Sequence, residues 1–412
     1  MTPDWKQTLT FVSSKPFHSM KNIFQQAVIL IVSLFSAGLV EAQTINYKPL
    51  IDEIQQLQKQ FVPDSRVAIF NVDLKDTLQF PLILTGKTDL PDARSQLLQL
   101  LKAKNIAFVD SLILLPSVSL GSQTWALASL SVSTLRSKPD DAAELVTQVM
   151  MGTPMKVLEQ SKNWFRVQTP EHYIGWIDGS GLQRFTLEEL NQWKESNRFM
   201  FNKLSGYVYD KPSKKASVVT DLVLGDLFEA GKSKRGYLKI SLPDGRKGFV
   251  KRSDCISYSD WVGSQPDIEV LLDFASQMMG SPYLWGGTSA KAVDCSGFVK
   301  LLYYSQAVIL ARDATQQARY GEVIDHTNVN ILQRGDLLFF GSSAKRISHT
   351  GVYVGKGDFI HASGRVLVSS IDPLDAKYLP SRNYVAARRV ITAFDTEGIT
   401  PVKNHPWYNR IK

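Results

Sequence analysis

Asp294-Cys-Ser-Gly-Phe298 leaves a loop containing Gly286-Gly287 and opens an amphipathic run that ends near Gln306. This stretch decides how the C-terminal third is read. A cysteine at the start of a helix meets backbone N–H groups without intrahelical acceptors and the positive end of the helix dipole. Both favour a thiolate, so the position predicts a lowered thiol pKa and a nucleophilic Cys295. The same N–H groups can stabilise an oxyanion.

A thiol nucleophile needs a base, and the base needs an orienting partner. His349 precedes the strand pattern Thr350-Gly-Val-Tyr-Val354, and His361 ends the pattern Asp358-Phe-Ile-His361. Adjacent antiparallel strands would set the two imidazoles side by side, one for the thiolate and one fixing its tautomer. A zinc site built from Cys295, His349 and His361 is the competing reading of these three residues.

Upstream of this stretch, Ile268, Leu271, Leu272, Ala275 and Met278 form a helical stripe that Gly280 ends. Downstream come strand-like runs at Asp336–Phe340, Thr350–Val354, Asp358–His361, Val366–Ser370 and Val385–Val390. Helices followed by a run of strands predict an α+β domain. From about Thr392 the chain reads as a surface extension.

Five motifs occur in order: Tyr283-Leu-Trp-Gly-Gly287, Asp294-Cys-Ser-Gly-Phe298, Arg334-Gly-Asp-Leu-Leu-Phe339, Ser348-His-Thr-Gly-Val-Tyr-Val354 and Phe359-Ile-His-Ala-Ser363. Together they resemble the NlpC-type cell-wall peptidase family over about Asp267 to Ile391. The resemblance implies a papain-like fold and hydrolysis of peptide bonds in the bacterial wall. By position it implies Cys295 as nucleophile, His349 as base, His361 as orienting residue and Tyr283 as an aid to the oxyanion. It implies no metal and no organic cofactor.

Between about Trp125 and Tyr258 the sequence repeats itself. Leu135-Arg-Ser-Lys-Pro139 recurs as Val208-Tyr-Asp-Lys-Pro212, Gly152 as Gly225, Trp164 as Tyr237, Gly175 as Gly248 and Trp176 as Phe249, always 73 residues apart. Each copy shows short β-branched and aromatic runs broken by Gly, Pro, Asn and Asp, the pattern of a small all-β unit. The copies resemble bacterial SH3-like barrels. Between them Thr186–Asn197 reads as a helix with Leu187, Leu190 and Trp193 on one face. Cys255 aligns with the apolar Leu182 and reads as a buried, inert thiol. With only one other cysteine in the chain, no disulfide framework exists.

Two such barrels ahead of the peptidase domain resemble a narrower subgroup, the γ-D-glutamyl-diamino-acid dipeptidyl-peptidases. That resemblance implies cleavage after γ-D-Glu in stem peptides with a free N-terminal L-Ala. Glu144 and Tyr173 of the first barrel then close the amine end of the cleft. Their repeat partners are Ser217 and Arg246, so the barrel itself does not require Glu or Tyr there. Asp294 would join Glu144 in neutralising the ammonium, and Ser296 and Trp285 would touch substrate. Arg312 would be free to bind the α-carboxylate of D-Glu. Asp313 and Gln316 read as a capping box. Ala314 stands where the subgroup has a hydroxyl residue, and Thr315 is the expected substitute.

Upstream of the barrels, Leu50, Ile51, Ile54, Leu57 and Phe61 keep helical spacing, Arg66–Asp73 and Ala107–Leu115 read as strands, and Asp92–Lys104 as a helix. This small α/β unit shows no catalytic constellation and reads as a support. The apolar stretch Ala27–Val40, with Lys21 before it and Val40-Glu-Ala42 after it, reads as a secretory signal, with Met20 a plausible true start. The chain has 412 residues and a formal net charge of +8, with no basic run of five or more, which argues against a nucleic-acid arm.

The expected architecture is multidomain, in the order signal peptide 1–42, small α/β domain 43–124, first SH3-like barrel 125–185, second SH3-like barrel 186–259, α+β papain-like domain 260–392 and tail 393–412. The expected protein is an exported monomer, periplasmic or extracellular, with murein peptides as partners, no nucleic acid and no stable membrane insertion. Competing expectations are an endopeptidase on intact peptidoglycan and a non-catalytic wall-binding protein.

Overall fold

The computed structural model describes residues 47–75 and 81–410, so the expected signal segment lies outside the described residues. Among the described residues no helix is long and apolar enough to cross a membrane.

The first unit packs α1 (Lys48–Phe61) and α2 (Pro91–Ala103) on a sheet of β1 (Phe70–Lys75), β2 (Leu82–Thr88) and β3 (Phe108–Leu114). Leu50 and Ile54 of α1 meet Leu97 and Leu101 of α2 over Leu82 and Leu84, as the helical spacing requires. β2 runs antiparallel to β1 and parallel to β3. The strand expected from Arg66 starts instead at Phe70. Pro63-Asp64 sets a turn there: Asp64 Oδ1 accepts the Arg66 N–H at 3.1 Å and Asp64 O accepts the Val67 N–H at 3.2 Å. An Asx-type turn of this kind competes successfully with strand pairing.

The repeat becomes two sheets of the same topology. The first contains β4 (Trp125–Ala128), β5 (Val132–Arg136), β6 (Leu145–Met150), β7 (Pro154–Ser161), β8 (Trp164–Gln168), β9 (Ile174–Asp178) and β10 (Leu182–Phe185). After α3 (Leu187–Glu195), the second contains β11 (Arg198–Phe201), β12 (Ser205–Tyr209), β13 (Val218–Val223), β14 (Leu227–Lys234), β15 (Tyr237–Ser241), β16 (Lys247–Lys251) and β17 (Cys255–Ser257). Strand orders β10-β4-β7-β8-β9-β5-β6 and β17-β11-β14-β15-β16-β12-β13 correspond one to one. Gly152 and its counterpart Gly225 hold φ of +74° and +96°, which an L side chain rarely adopts. Cys255 is buried in the second barrel's core, where burial pushes its thiol up to about 12. In α3, Leu190 and Trp193 are buried but Leu187 is exposed, because it occupies the first turn beside the Thr186 cap and lies off the inward stripe.

α4 (Tyr258–Gly263) leads into the third unit. α5 (Ile268–Gln277), capped by Asp267, lies against the buried α6 (Cys295–Ser305). A ribbon of β18 (Thr288–Ser289) and β19 (Ala292–Val293) precedes α6; β20 (Val308–Leu310) and the short α7 (Ala314–Gln317) follow it. A six-stranded sheet then forms from β21 (Glu322–Ile324), β22 (Leu337–Ser343), β23 (Arg346–Gly355), β24 (Asp358–Ser363), β25 (Arg365–Ser370) and β26 (Tyr384–Arg389), in the order β21-β26-β22-β23-β24-β25. β23 and β24 are antiparallel neighbours, as the histidine placement required.

The C-terminal segment is not a surface extension. β27 (Ile399–Pro401) pairs with β20, and Ile399, Val402 and Tyr408 are buried. Tyr408 shares a hydroxyl hydrogen bond with Tyr304 of α6 at 3.2 Å, His405 Nε2 meets Pro170 O of the first barrel at 3.0 Å, and Trp407 packs edge-on to Trp125. The segment ties the first barrel to the third unit because its apolar residues, too sparse to show a period, face two surfaces at once.

Candidate active site

The Cys295 site begins with a helix cap. Asp294 Oδ1 accepts the Gly297 N–H at 2.7 Å, and Oδ2 accepts the Gly286 N–H at 3.0 Å, so one carboxylate fixes both loop and helix start. Gly297 has no room for a Cβ, which would lie 2.0 Å from Gly287 O. Cys295 is therefore held at the first turn of α6 and lines a cleft of about 380 Å³.

The thiol does not have the lowered pKa expected of a helix start. Burial, with Asp294 adjoining, pushes Cys295 up to about 11. Backbone N–H groups of Thr350 and Ser296 and the nearby Arg312 pull the other way and do not overcome it. The Thr350 contact also brings the sulfur to the residue after His349.

His349 and His361 are both buried. His349 Nε2 and His361 Nδ1 are 2.7 Å apart, and His361 Nε2 is 2.9 Å from Ser369 Oγ on β25. Burial lowers His349 to about 2, with Arg382 and His361 adding to the effect; burial and Arg382 lower His361 to about 4. Both rings are neutral near pH 7. The inter-ring bond uses two of the nitrogens that a shared zinc ion would need. Among the described residues no group of three or more His, Cys, Asp and Glu is placed to hold a metal.

The cleft joins residues from three units. From the third unit come Tyr283, Trp285, Asp294, Cys295, Ser296, Arg312, Asp313, Ala314, Thr315, Ile347 and Ser348; from the first barrel Glu144, Val146 and Tyr173; from the first unit Arg66. Eight sequence-derived candidates therefore share one cavity, and the two histidines follow directly behind Ile347-Ser348 in the buried part of β23 and on β24. Burial, Cys295 and Asp294 raise Tyr283 to about 12, so it remains a hydroxyl donor. Trp285, 63% exposed, lines the cleft and donates Nε1–H to Glu144 Oε1 at 2.7 Å. Tyr173 is buried, and burial together with the Asp313 carboxylate raises its pKa.

Several contacts lock the first barrel to the catalytic loop. Gln148 Oε1 accepts from Thr288 N at 3.0 Å and Ser289 Oγ at 3.0 Å, while Gln148 O accepts from Thr288 Oγ1 at 2.8 Å. The β6 end that carries Glu144 is thus held at a fixed position beside the loop that carries Trp285.

Arg312 has partners that the sequence did not announce. Its side chain is 1% exposed; Nη2 and Nη1 reach Asp294 Oδ2 and Oδ1 at 2.5 and 3.2 Å, Nη1 reaches Ser296 Oγ at 3.0 Å, and Nε reaches Thr147 Oγ1 at 3.0 Å. These bonds clamp the Cys295 loop, and the arginine also lines the cleft. Asp294 in turn has its charge matched by Arg312, so Glu144 lacks the second free acid expected beside it. The Asp313–Gln316 capping box forms, with Gln316 Oε1 accepting the Asp313 N–H at 3.0 Å, and Asp313 Oδ2 also accepts from Arg66 Nη1 at 2.6 Å.

Arg66, Asp313 in its cleft-facing role, Ser369 and Arg382 were not singled out from sequence. Ser369 carried a faint signal as a polar residue in the strand run Val366–Ser370. Arg66 carried none, because its position depends on docking of the first unit: Arg66 O accepts Ile174 N–H of β9 at 2.8 Å, and Gln168 Nε2 donates to Val67 O at 2.9 Å.

Comparison with known proteins agrees with this geometry. Residues 280–389 match the NlpC/P60 family, and residues 135–182 match the bacterial dipeptidyl-peptidase Sh3 domain. A gamma-D-glutamyl-L-lysine dipeptidyl-peptidase of Bacillus cereus is 29% identical over 268 residues, 61% of this chain and 77% of that protein. Dipeptidyl-peptidase 6 of Lysinibacillus sphaericus is 26% identical over 266 residues, 60% of this chain and 92% of that protein. The crystal structure of an NlpC/P60 family protein from Bacillus cereus superposes with a TM-score of 0.56 at 22% identity, covering 64% of this chain and 99% of that one, a likeness of fold. The third unit is thus an NlpC/P60 domain behind a bacterial dipeptidyl-peptidase Sh3 domain, and the protein is a papain-like cysteine peptidase of the peptidoglycan-directed kind.

Proposed function

We propose that this peptidase hydrolyses the bond between γ-D-Glu and the following diamino acid in murein stem peptides bearing a free N-terminal L-Ala, releasing L-Ala-γ-D-Glu. The observation that carries the reading is the Glu144–Trp285 hydrogen bond across the domain junction. It sets a first-barrel carboxylate beside Trp285 in the Cys295 cleft, which supports selection of a terminal ammonium over a neutral, amide-linked stem. Two relatives bear dipeptidyl-peptidase names, which supports release of a dipeptide. Export is the accompanying reading, supported by the apolar stretch Ala27–Val40.

The chemistry follows from the neutral resting pair. For His349 Nδ1 to take the thiol proton, Nε2–H must donate to His361 Nδ1, and His361 then donates Nε2–H to Ser369 Oγ. As Sγ attacks the γ-carbonyl carbon, His349 Nδ1 takes the thiol proton, and the Asp-free histidine chain stabilises the imidazolium that forms. The Cys295 N–H and the Tyr283 hydroxyl stabilise the oxyanion. Collapse breaks the C–N bond as His349 returns the proton to the leaving α-amine. Water, deprotonated by His349, then opens the thioester. Arg312 acts as a positioning residue, through Asp294.

The test compares L-Ala-γ-D-Glu-L-Lys with its N-acetyl form by mass spectrometry. The free-amine peptide should be cut and the acetylated one left at least about a hundredfold slower, the cost of an unpaired buried charge. Comparable cleavage of both would overturn the closed-cleft reading in favour of an endopeptidase on intact wall.

A further inference from the structure

The formal charge of +8 is not spread evenly along the chain. Residues 198–257, the second barrel, hold 13 Lys and Arg against six Asp and Glu, a net of +7, whereas the matching residues 125–184 of the first barrel hold six of each. The two copies share one topology, so the fold does not ask for this charge. The second barrel also lies outside both matched family ranges.

The excess gathers on one sheet face. Along β15 and β16 the side chains alternate: Leu238, Ile240 and Val250 are buried, and Tyr237, Lys239, Lys247, Phe249 and Lys251 lie on the outer side. Residues directly opposite on antiparallel strands share a face. Lys239 is opposite Phe249, and Phe249 is opposite Tyr209 of β12. Lys234 is opposite Tyr237, and Tyr237 is opposite Lys251. Two rows result, each mixing lysine with aromatic rings, and the Tyr209 and Tyr237 rings meet edge to face at 6.5 Å between them. Lys234, Lys239 and Lys247 are exposed and have no ion-pair partner among the described residues, while Lys251 is 3.9 Å from Asp254. Asp221 and Asp244 are already paired with Lys291 and Arg246, at 2.7 and 2.6 Å. Glu229, opposite Ser241, and Asp210, beside Tyr209, are the acids left at the edge.

The first barrel shows the same face with a partner. Ile174, the counterpart of Lys247, packs with Ile69, Leu115 and Leu158 under the first unit, and Glu159, the counterpart of Lys232, pairs with Lys87 of β2. In the second barrel Lys232 and Lys247 are exposed, and no described segment of the chain covers them.

We propose that the outer face of β12, β15 and β16 docks an anionic glycopolymer, a chain of sugar rings carrying phosphate or carboxylate groups. Unpaired cations gathered on one face attract a polyanion. Lysines are flexible point charges, suited to anionic groups that vary in position along a polymer. Tyr209, Tyr237 and Phe249 supply amphipathic or apolar ring surface against which the apolar faces of pyranose rings can stack. The need for an anion rests on the face itself; its being a sugar polymer rests on the wall-directed function proposed above.

The test reads binding, so its outcome is separate from whether stem peptides are cut. The full chain is titrated with heparin as a linear anionic glycan, dextran as a neutral one, linear polyphosphate as a polyanion without rings, and phosphatidylglycerol vesicles. Heparin should bind best and dextran not measurably, and raising NaCl from about 50 to about 300 mM should weaken the heparin complex at least about tenfold. The triple variant Lys234→Glu, Lys239→Glu, Lys247→Glu should weaken heparin binding at least about thirtyfold. The double variant Tyr209→Ala, Tyr237→Ala should weaken heparin at least about fivefold and polyphosphate less than about twofold. Both variants should keep the wild-type rate of Cys295 alkylation, because the face lies outside the cleft. Full heparin binding by the lysine variant would overturn the docking face. Equal losses on heparin and polyphosphate in the tyrosine variant would overturn the sugar contact, and tighter binding to the vesicles than to heparin would make the face a membrane contact instead. Should the tyrosine variant fail to fold, judged by thermal unfolding, the lysine variant and the wild-type preference for heparin over polyphosphate decide, and no such preference would overturn the glycopolymer.

Discussion

His349 Nε2 sits 2.7 Å from His361 Nδ1, and His361 Nε2 sits 2.9 Å from Ser369 Oγ, so three side chains on adjacent strands form one hydrogen-bonded line ending at a hydroxyl. The line permits a single tautomer assignment if His349 Nδ1 is to accept the thiol proton. His361→Ala should therefore cut kcat by roughly 10²–10⁴-fold, the usual worth of general acid–base catalysis, with KM little changed. Ser369→Ala should cost roughly fivefold, as expected for about 1 kcal/mol of one hydrogen bond. Steady-state kinetics on a cleavable stem peptide check both; an unchanged kcat in His361→Ala would remove the orienting role.

The neutral resting pair has a consequence for pH. The Cys295 thiol is raised to about 11 and His349 lowered to about 2, so between those values both remain uncharged. A raised thiol pKa means that the thiolate fraction increases about tenfold per pH unit until about pH 11 is approached. Alkylation of Cys295 by iodoacetamide in the free enzyme should climb steadily from pH 7 to pH 10, read by peptide mass spectrometry. A plateau below pH 8 would show a thiolate–imidazolium pair instead. Cys255, buried and raised to about 12, should remain unmodified over the same range.

The two halves of the repeat were readable because each strand of the first barrel has its counterpart at a constant separation, and sheet order is preserved strand for strand. Cys295 and the loop glycines were readable as a helix start, although burial outweighs the lowered thiol pKa expected there, and Tyr283 was legible only through its family motif. The clamp role of Arg312 was hidden for the opposite reason. Nothing in Arg312-Asp313-Ala314 announces that Asp294, far away in the chain, will absorb the guanidinium. Arg66 and the C-terminal clasp belong to the same class: their roles exist only after separate units dock, and no period or motif encodes a docking surface.

The Arg312–Asp294 pair is buried on both sides, at 1% and 8% side-chain exposure, and Ser296 and Thr147 complete its donors and acceptors. Removing one partner from a buried pair leaves an uncompensated charge and typically costs about 3–5 kcal/mol. Arg312→Ala should lose about that much stability in urea unfolding and should also lose activity, because Asp294 positions the Cys295 turn. A stable, fully active Arg312→Ala would refute the clamp.

The C-terminal clasp gives a stability prediction with a pH sign. Tyr408→Ala should cost about 3–5 kcal/mol, the usual range for removing a large buried aromatic. His405 and His361 are both depressed to about 4 in the folded chain, chiefly by burial. The unfolded chain therefore binds more protons below about pH 6.5, and stability present above that pH is lost as pH falls toward 4. His405→Gln should flatten part of this acid slope in thermal melts taken between pH 7 and pH 4. An unchanged slope would mean that His405 does not titrate on unfolding.

Glu144 and Trp285 permit a direct test of amine selection. Among the described residues the Glu144 carboxylate bonds to Trp285 and not within the first barrel's own sheet, and the second barrel has Ser217 at the equivalent place. Its visible bond is to Trp285 across the junction. Glu144→Gln keeps an oxygen for the indole N–H while removing the charge that an ammonium would meet. The variant should fold normally and lose roughly ten- to a hundredfold in kcat/KM on the free-amine peptide, about 1.5–3 kcal/mol for a hydrogen bond to a charged group. Its discrimination against the N-acetylated peptide should shrink by the same factor. Trp285→Phe removes the donor that holds Glu144 in place and should raise KM more than it lowers kcat. If Glu144→Gln keeps full discrimination, the amine is selected by shape alone.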